Sequence, residues 1–443
     1  MTELSELATS GYFYYYPLVE NLKQVERYVI TGVGSNPAAP FNAFSHARKL
    51  AGPEDTFVTI NNDTVYSMAQ LDLSVGPLRL EVPDTGDRYY VLQFVDAWTN
   101  NIAYVGTRAT GNRAGRFVIV PPGWTGELPE GHQVIQASTR VLSIVGRFAC
   151  TGPDDIPAVN AVQDAVVLAP VEPGDAVPAG MPSASAGVPA SLRFWEEARL
   201  WSQAFPAPIE DSPYSEKFAP LGTSAAESPY VDASDAVSEA LRLGLKGGAD
   251  KLEYVTHHGK SPVINGWTVG LHLFDYNLYV LGLGTVDEDR WKITDQQHRI
   301  IERAVACRVG LWGNHAYEAV YAQAFTDGAG GALVGGNTYT MTFPERPPVG
   351  AFWSITLYDI PQYYLVANSI DRYSIGDRTA GIHYAADGSL QLTISRAEPT
   401  DSAARANWLP APADKFRLVF RLYVPGDAIL DGTYDFPAIV PAG

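Results

Sequence analysis

Tyr89-Tyr90-Val91-Leu92-Gln93-Phe94-Val95-Asp96 decides how this chain is read. Alternation places Tyr90, Leu92, Phe94 and Asp96 on one face of a strand, and β-branched and aromatic residues fill it without a Pro or Gly break. Turn sequence precedes it at Val82-Pro83-Asp84-Thr85-Gly86-Asp87. A second strand-like run, Arg116-Phe117-Val118-Ile119-Val120, ends in Pro121-Pro122-Gly123. The same grammar returns downstream in Tyr339–Phe343, Phe352–Asp359, Leu390–Ile394 and Phe416–Val424. Strands punctuated by turns, not by regular crossover helices, predict antiparallel sheets.

Helical spacing occupies the remainder. Leu18, Leu22, Val25 and Val29 recur at steps of three and four, which predicts a helix over 15–30. Thr294 with Gln297 reads as a capping box opening a helix that continues through Ile301, Val305, Val309, Trp312, Ala316 and Val320. Residues 164–190, rich in Ala, Pro and Gly, read as a connection. The expected fold is α+β: two antiparallel β-sandwich-like modules with a helical segment inserted between them. The N-terminal helical region is 1–50, the first β module 51–163, the linker and helices 164–335, and the second β module 336–443. An internal echo supports two related modules. Asn62–Tyr66 leads to a run ending Leu92–Asp96, and Asn337–Tyr339 leads to one ending Ile355–Asp359. Val118–Gly123 is echoed by Leu422–Gly426.

Among 443 residues, 46% are hydrophobic and only 18% charged, which excludes a disordered chain. Lys plus Arg is 31 against 49 Asp plus Glu, a net charge of −18. This argues against nucleic acid and anionic membrane as partners, because both demand clustered cations. No apolar run approaches a bilayer span. The acidic start, Met1 to Glu6, carries no secretory pattern, and the two cysteines fit a reducing compartment, so a cytoplasmic location is expected. Tyr12-Phe13-Tyr14-Tyr15-Tyr16 is easier to place in an interface or core than in water, and a homo-oligomer is expected on that ground. His315 and Glu318 would share a helical face, but no second His completes a zinc pattern, so neither metal nor other cofactor is expected.

Chemistry is expected where polar groups interrupt the apolar pattern. A carboxylate on the Tyr90–Leu92–Phe94 face costs several kcal/mol unless it is bonded or paired, and burial of that kind raises a pKa toward the range of a general base. Asp96 is the expected base, and Asp63 and Tyr66 complete the catalytic set. Asn61, Asn62, Asn100 and Asn101 supply short donors and acceptors for a ligand. Arg108, Arg372 and Arg421 are candidate anion forks in an acidic chain. Trp353, Tyr358 and Trp408 are candidate walls.

Asn61-Asn62-Asp63-Thr64-Val65-Tyr66-Ser67, with Asp96 and Asn100-Asn101, resembles the bacterial family of domain of unknown function 1254. Phe352–Asp359, Asn368, Asp371–Gly376, Asp387-Gly388-Ser389, Asn407–Pro412 and Arg421–Pro425 resemble its habitual partner, domain of unknown function 1214. The resemblance implies two β modules with helices and supplies no reaction. Many proteins of this kind carry an export signal that this start lacks. The function expected from the residues is a metal-independent enzyme using acid/base chemistry, as a hydrolase, lyase or isomerase, on a small polar or carboxylate-bearing molecule. A secondary-metabolite cyclase or isomerase, and a non-catalytic small-molecule-binding module, are the alternatives.

Overall fold

The computed structural model describes residues 2–55, 58–259 and 261–442. Helix α1 (Glu3–Ile30) opens on Thr2, whose hydroxyl accepts from the Ser5 N–H. Glu3 and Glu6 lie in its first turn and Arg27 in its last, where the helix dipole favours each charge. Strands β1 (Phe44–His46), β2 (Thr64–Asp72), β3 (Leu78–Val82), β4 (Tyr90–Asp96), β5 (Asn101–Gly106), β6 (Gly115–Val120), β7 (Gln133–Gln136) and β8 (Val141–Ala149) follow. Helix α2 (Ile156–Asp164) and strand β9 (Val167–Pro170) complete the first module. One sheet has the order β1-β2-β8-β4-β5, the other β7-β6-β3-β9. Leu92, Phe94, Phe117, Ile119, Ile144 and Phe148 fill the space between them. β9 pairs with β3, so the first module's second sheet extends past residue 163.

Helices α3 (Arg193–Ala204), α4 (Ser212–Phe218) and α5 (Asp235–His257) pack around α1. Tyr12, Phe13, Tyr14 and Tyr15 are buried there against Phe194, Trp195 and Phe218. The aromatic run is thus a core element, which removes the ground on which it suggested an interface between copies. It also explains why α1 begins well before residue 15. After β10 (Val263–Ile264) and β11 (Trp267–Val269), helix α6 (Gln296–Gly310) is capped by Asp295 rather than Thr294, the Asp295 carboxylate accepting from the His298 N–H. It stops at Gly310, and Trp312 takes a left-handed φ of 66°. His315 and Glu318 therefore lie in a turn and do not share a helical face.

The second module comprises β12 (Ala319–Ala324), β13 (Thr338–Phe343), β14 (Val349–Asp359), β15 (Ser374–Gly376), β16 (Leu390–Ser395), α7 (Ser402–Ala406), β17 (Trp408–Pro410), β18 (Phe416–Pro425), α8 (Asp427–Leu430) and β19 (Ile439–Ala442). Its sheets have the orders β10-β11-β12-β18-β14-β15 and β17-β16-β13-β19. The fold is α+β with sandwich-like, mostly antiparallel sheets.

The two modules repeat one topology. β2-β8-β4-β5 corresponds to β12-β18-β14-β15, and β7-β6-β3-β9 to β17-β16-β13-β19. Among the described residues the only parallel pairs, β6 with β7 and β16 with β17, fall in the same place. Residues correspond in register: Tyr66, Arg147, Val91 and Gly106 lie abreast across the first sheet, as Tyr321, Arg421, Ser354 and Gly376 do across the second. The sequence echo pairs Leu92–Asp96 with Ile355–Asp359 in agreement with this register. Its other two pairings are displaced: β2 corresponds to β12, not to the Asn337 segment, and β18 corresponds to β8, not to β6.

Candidate functional site

Alternation along β18 sends Phe416, Leu418, Phe420 and Leu422 into the second module's core and Arg417, Arg421 and Tyr423 to the opposite face. In β8, Arg147 likewise faces away from Ile144 and Phe148. These two polar faces meet along a seam between the modules, and residues 59–66 and 312–321 line it. Arg147 donates from Nη1 to the Gln93 Oε1 (2.8 Å) and from Nη2 to the Trp312 carbonyl (2.8 Å). Its guanidinium lies 5.5 Å from the Tyr66 ring centre. Asn314 joins it to the other module, its Oδ1 3.5 Å from Arg147 Nη1 and its Nδ2 donating to the Tyr321 hydroxyl at 3.1 Å. Arg421 donates to Thr356 Oγ1 (2.8 Å), the Tyr358 hydroxyl (2.8 Å) and the Thr59 carbonyl (3.2 Å).

Asp63 sits at the centre of this seam and is buried. Its Oδ2 accepts from Ser354 Oγ at 2.6 Å and from the Tyr423 hydroxyl at 3.4 Å. Among the described residues its Oδ1 has no hydrogen-bond partner. Asn61 fixes the local turn, its Oδ1 accepting from the Asp63 and Thr64 N–H groups while its Nδ2 donates to the Tyr423 hydroxyl at 2.7 Å. Burial, and next the Asp63 charge, hold the Tyr423 phenol well above its ordinary pKa, so it remains a proton donor. Asn62 accepts from Ser374 Oγ and anchors the same turn to the Ala51 carbonyl.

A cleft of about 310 Å³ opens onto the seam between Arg88, Tyr89, Thr107, Phe352 and Arg378. Arg378 separates it from Asp63: the guanidinium lies on the Phe352 ring, 3.3 Å from its centre, and donates to the Asp63 carbonyl at 3.2 Å. Burial lowers the Arg378 pKa, and Asp63 and Asp377 act in the opposite sense.

Buried arginines without a carboxylate partner concentrate along this seam. Outside it, buried Arg199 pairs with Glu196, buried Arg299 with Asp211 and the partly buried Arg108 with Glu318, while buried Arg303 is held by the Asn100 side-chain oxygen instead of a carboxylate. Among the described residues, Arg147, Arg378, Arg417 and Arg421 have no carboxylate within salt-bridge distance, although Arg147, Arg417 and Arg421 are 6%, 6% and 3% exposed. Arg417 is held by Gln323 and Thr59 beneath the Tyr363 ring, and burial pulls its pKa down to about 10.

Of the residues singled out in the sequence, Asn61, Asn62, Asp63, Tyr66, Tyr358 and Arg421 come together here. Asn101 supports the seam from behind, accepting from the Gln93 amide that holds Arg147. The others lie in different settings. Asp96 is 1% exposed, but its four acceptor positions are filled: Oδ1 by the Trp98 and Asn100 N–H groups, Oδ2 by Asn100 Nδ2 and Ser138 Oγ. Burial does raise its pKa, yet the geometry is that of a turn cap, with Asn100 passing the connection on to Arg303. Arg108 is neutralised by Glu318. Arg372 donates to the Ala406 and Trp408 carbonyls, so it staples a loop rather than holding an anion. Trp353 stacks on Phe343 inside the second sandwich, and Trp408 donates to the Ser395 carbonyl beside it; neither walls the seam.

Arg147, Tyr423, Ser354, Tyr321 and Arg378 were not singled out. For Arg147 a signal existed: it is the one charge in the apolar run Val141–Ala149.

Residues 41–170 match the family described as "Protein of unknown function (DUF1254)", and residues 318–427 match "Protein of unknown function (DUF1214)". The chain carries both domains. The DUF1254 match ends at β9 and the DUF1214 match begins just before β12, so the Asp63 turn comes from one domain and Ser354, Arg421 and Tyr423 from the other. The crystal structure of a Vibrio parahaemolyticus protein is similar over 99% of this chain and 100% of that one, with a TM-score of 0.74 at 23% identity. A Burkholderia cenocepacia protein of known structure aligns over 98% of this chain and 88% of its own at a TM-score of 0.45 and 10% identity. No curated protein matches the sequence. Among the described residues no helix is long and apolar enough to cross a membrane.

Proposed function

We propose that the seam between the DUF1254 and DUF1214 domains binds a small carboxylate-bearing molecule and carries out proton transfer on it. The observation behind this reading is the group of buried guanidiniums lacking carboxylate partners in a chain of net charge −18. A buried cation is costly unless paired, and acidic side chains are abundant in this chain, so the lack of a carboxylate within salt-bridge distance of these guanidiniums leaves that place to a ligand anion. Arg147 and Arg421 would hold the ligand, with Tyr66 and Tyr321 beside them. Asp63, steadied by Ser354 and Asn61, presents Oδ1 as the base, and Tyr423 returns a proton. This set suits elimination, isomerisation or hydrolysis next to a carboxylate.

The test is turnover across a panel of small carboxylic acids by the natural chain and by Asp63→Asn. Loss of a general base costs about 10²–10⁴ in rate, and binding should survive the substitution. Unchanged turnover in Asp63→Asn would remove Asp63 from the chemistry. Because the arginines provide recognition without Asp63, a binding module is the second reading; ligand affinity in the natural chain without any product would select it.

A further inference from the structure

The seam has an internal symmetry. Arg147 and Arg421 occupy the same register position, and each lies abreast of a tyrosine on the neighbouring strand, Tyr66 and Tyr321. Each is held in the same way. Nη1 donates, at 2.8 Å in both cases, to the next same-face residue of the adjacent central strand: Gln93 follows Val91 by two, and Thr356 follows Ser354 by two. Nη2 donates to a carbonyl in the segment leading into the other module's first central strand, Trp312 for Arg147 and Thr59 for Arg421. Both acceptors are non-glycine residues with left-handed backbone, φ 66° and 58°. Such conformations cost free energy and persist where surroundings impose them.

Charge counting points the same way. With the Arg108–Glu318 pair taken as neutral, four seam guanidiniums, Arg147, Arg378, Arg417 and Arg421, stand against two carboxylates, Asp63 and Asp377, which leaves two positive charges. A single carboxylate would neutralise only half of that excess.

We infer that the ligand is a dianion with two like anionic groups, one taken by Arg147 of the first module and the other by Arg421 of the second. This rests on the anion-binding reading and adds the ligand's charge and approximate symmetry. Two equivalent forks on opposite walls reward a molecule that ends in a carboxylate at both ends, and the modules contribute equally.

Isothermal titration of the full chain with a homologous series of linear dicarboxylates, and with the matching half-amides, tests it. One chain length should bind at one per chain, about ten- to a hundredfold tighter than its half-amide, the gain expected from a second charge-assisted contact. Arg147→Gln and Arg421→Gln should each reduce the dicarboxylate to half-amide affinity, and the double variant should bind neither. Should an arginine variant fail to fold, Tyr66→Phe and Tyr321→Phe serve instead; each should weaken the dicarboxylate more than the half-amide. Equal affinity for dicarboxylate and half-amide, or an effect confined to one arginine, overturns the inference and leaves a single-anion site. Absence of binding by any member of either series overturns the anion-binding reading as well.

Discussion

Arg147 and Arg421 are one position built twice, each gripping the backbone that leads into the other's module: Arg147 the carbonyl of Trp312, Arg421 that of Thr59. The exchange locks the two sandwiches face to face with their cations inside. A sandwich ordinarily turns polar side chains on its outer face to water. Here the second module supplies the cover, so those side chains are desolvated.

The glycines abreast of these arginines carry the same constraint. A Cβ on Gly376 would lie 2.1 Å from the Trp353 carbonyl oxygen, and one on Gly106 2.3 Å from that of Tyr90, at a φ of 147°. Backbone cannot retreat as a flexible side chain can. Gly376→Ala and Gly106→Ala should each lower stability by about 2 kcal/mol or more, read by denaturant unfolding. A loss well under 1 kcal/mol in both would show that the edge strands are not held as described.

Asp96 is predicted to be structural. Asp96→Asn replaces an acceptor by an amide facing donors from Asn100 and Ser138, which should cost about 2–4 kcal/mol of stability. Turnover or ligand affinity per folded molecule should be retained. A normal melting temperature with abolished activity would return Asp96 to the chemistry.

His315 makes acid stability a readout of the seam's rear wall. Its Nδ1 faces the hydroxyls of Tyr104 and Tyr317, each at 2.9 Å, and burial, followed by the Arg108 charge, lowers its pKa to about 3. The unfolded chain binds a proton there near pH 6.5, whereas the folded chain does not. The contribution is therefore complete above pH 6.5 and declines as pH falls toward 3, by about 1.4 kcal/mol per unit. Unfolding free energies measured from pH 7 to 4 should show this slope, and His315→Gln should reduce it. An unchanged slope in the variant would mean the imidazole is protonated in the folded state.

Architecture was legible because alternation and turn chemistry are local: β4, β6, β14, β16 and β18 all lie where period two placed them. The register of the repeat was not, since Asn62–Tyr66 and Asn337–Tyr339 look alike although their strands lie in different sheets. Half of the candidate site was legible, namely the Asn61–Asp63 turn, Tyr66, Tyr358 and Arg421. Asp96 misled because a buried cap and a buried base share the same sequence pattern, a carboxylate ending an apolar strand; only the donors around it, Ser138 from a distant segment among them, tell the two apart. Arg372 and Arg421 could not be separated either, as each follows an apolar strand in the second module, and only the packing shows that one holds a loop and the other faces the seam.

An anion site in the seam is the central proposal. Crystals soaked in bromide and measured at the bromine absorption edge would test this most directly, since the halide's anomalous signal marks where buried positive charge accepts an anion. Bromide is expected within hydrogen-bonding reach of Arg147 or Arg421, beside Tyr66 and Tyr321, and should be lost in the double variant. Bromide found only on the outer surface, with the guanidiniums contacting nothing but protein, would contradict it.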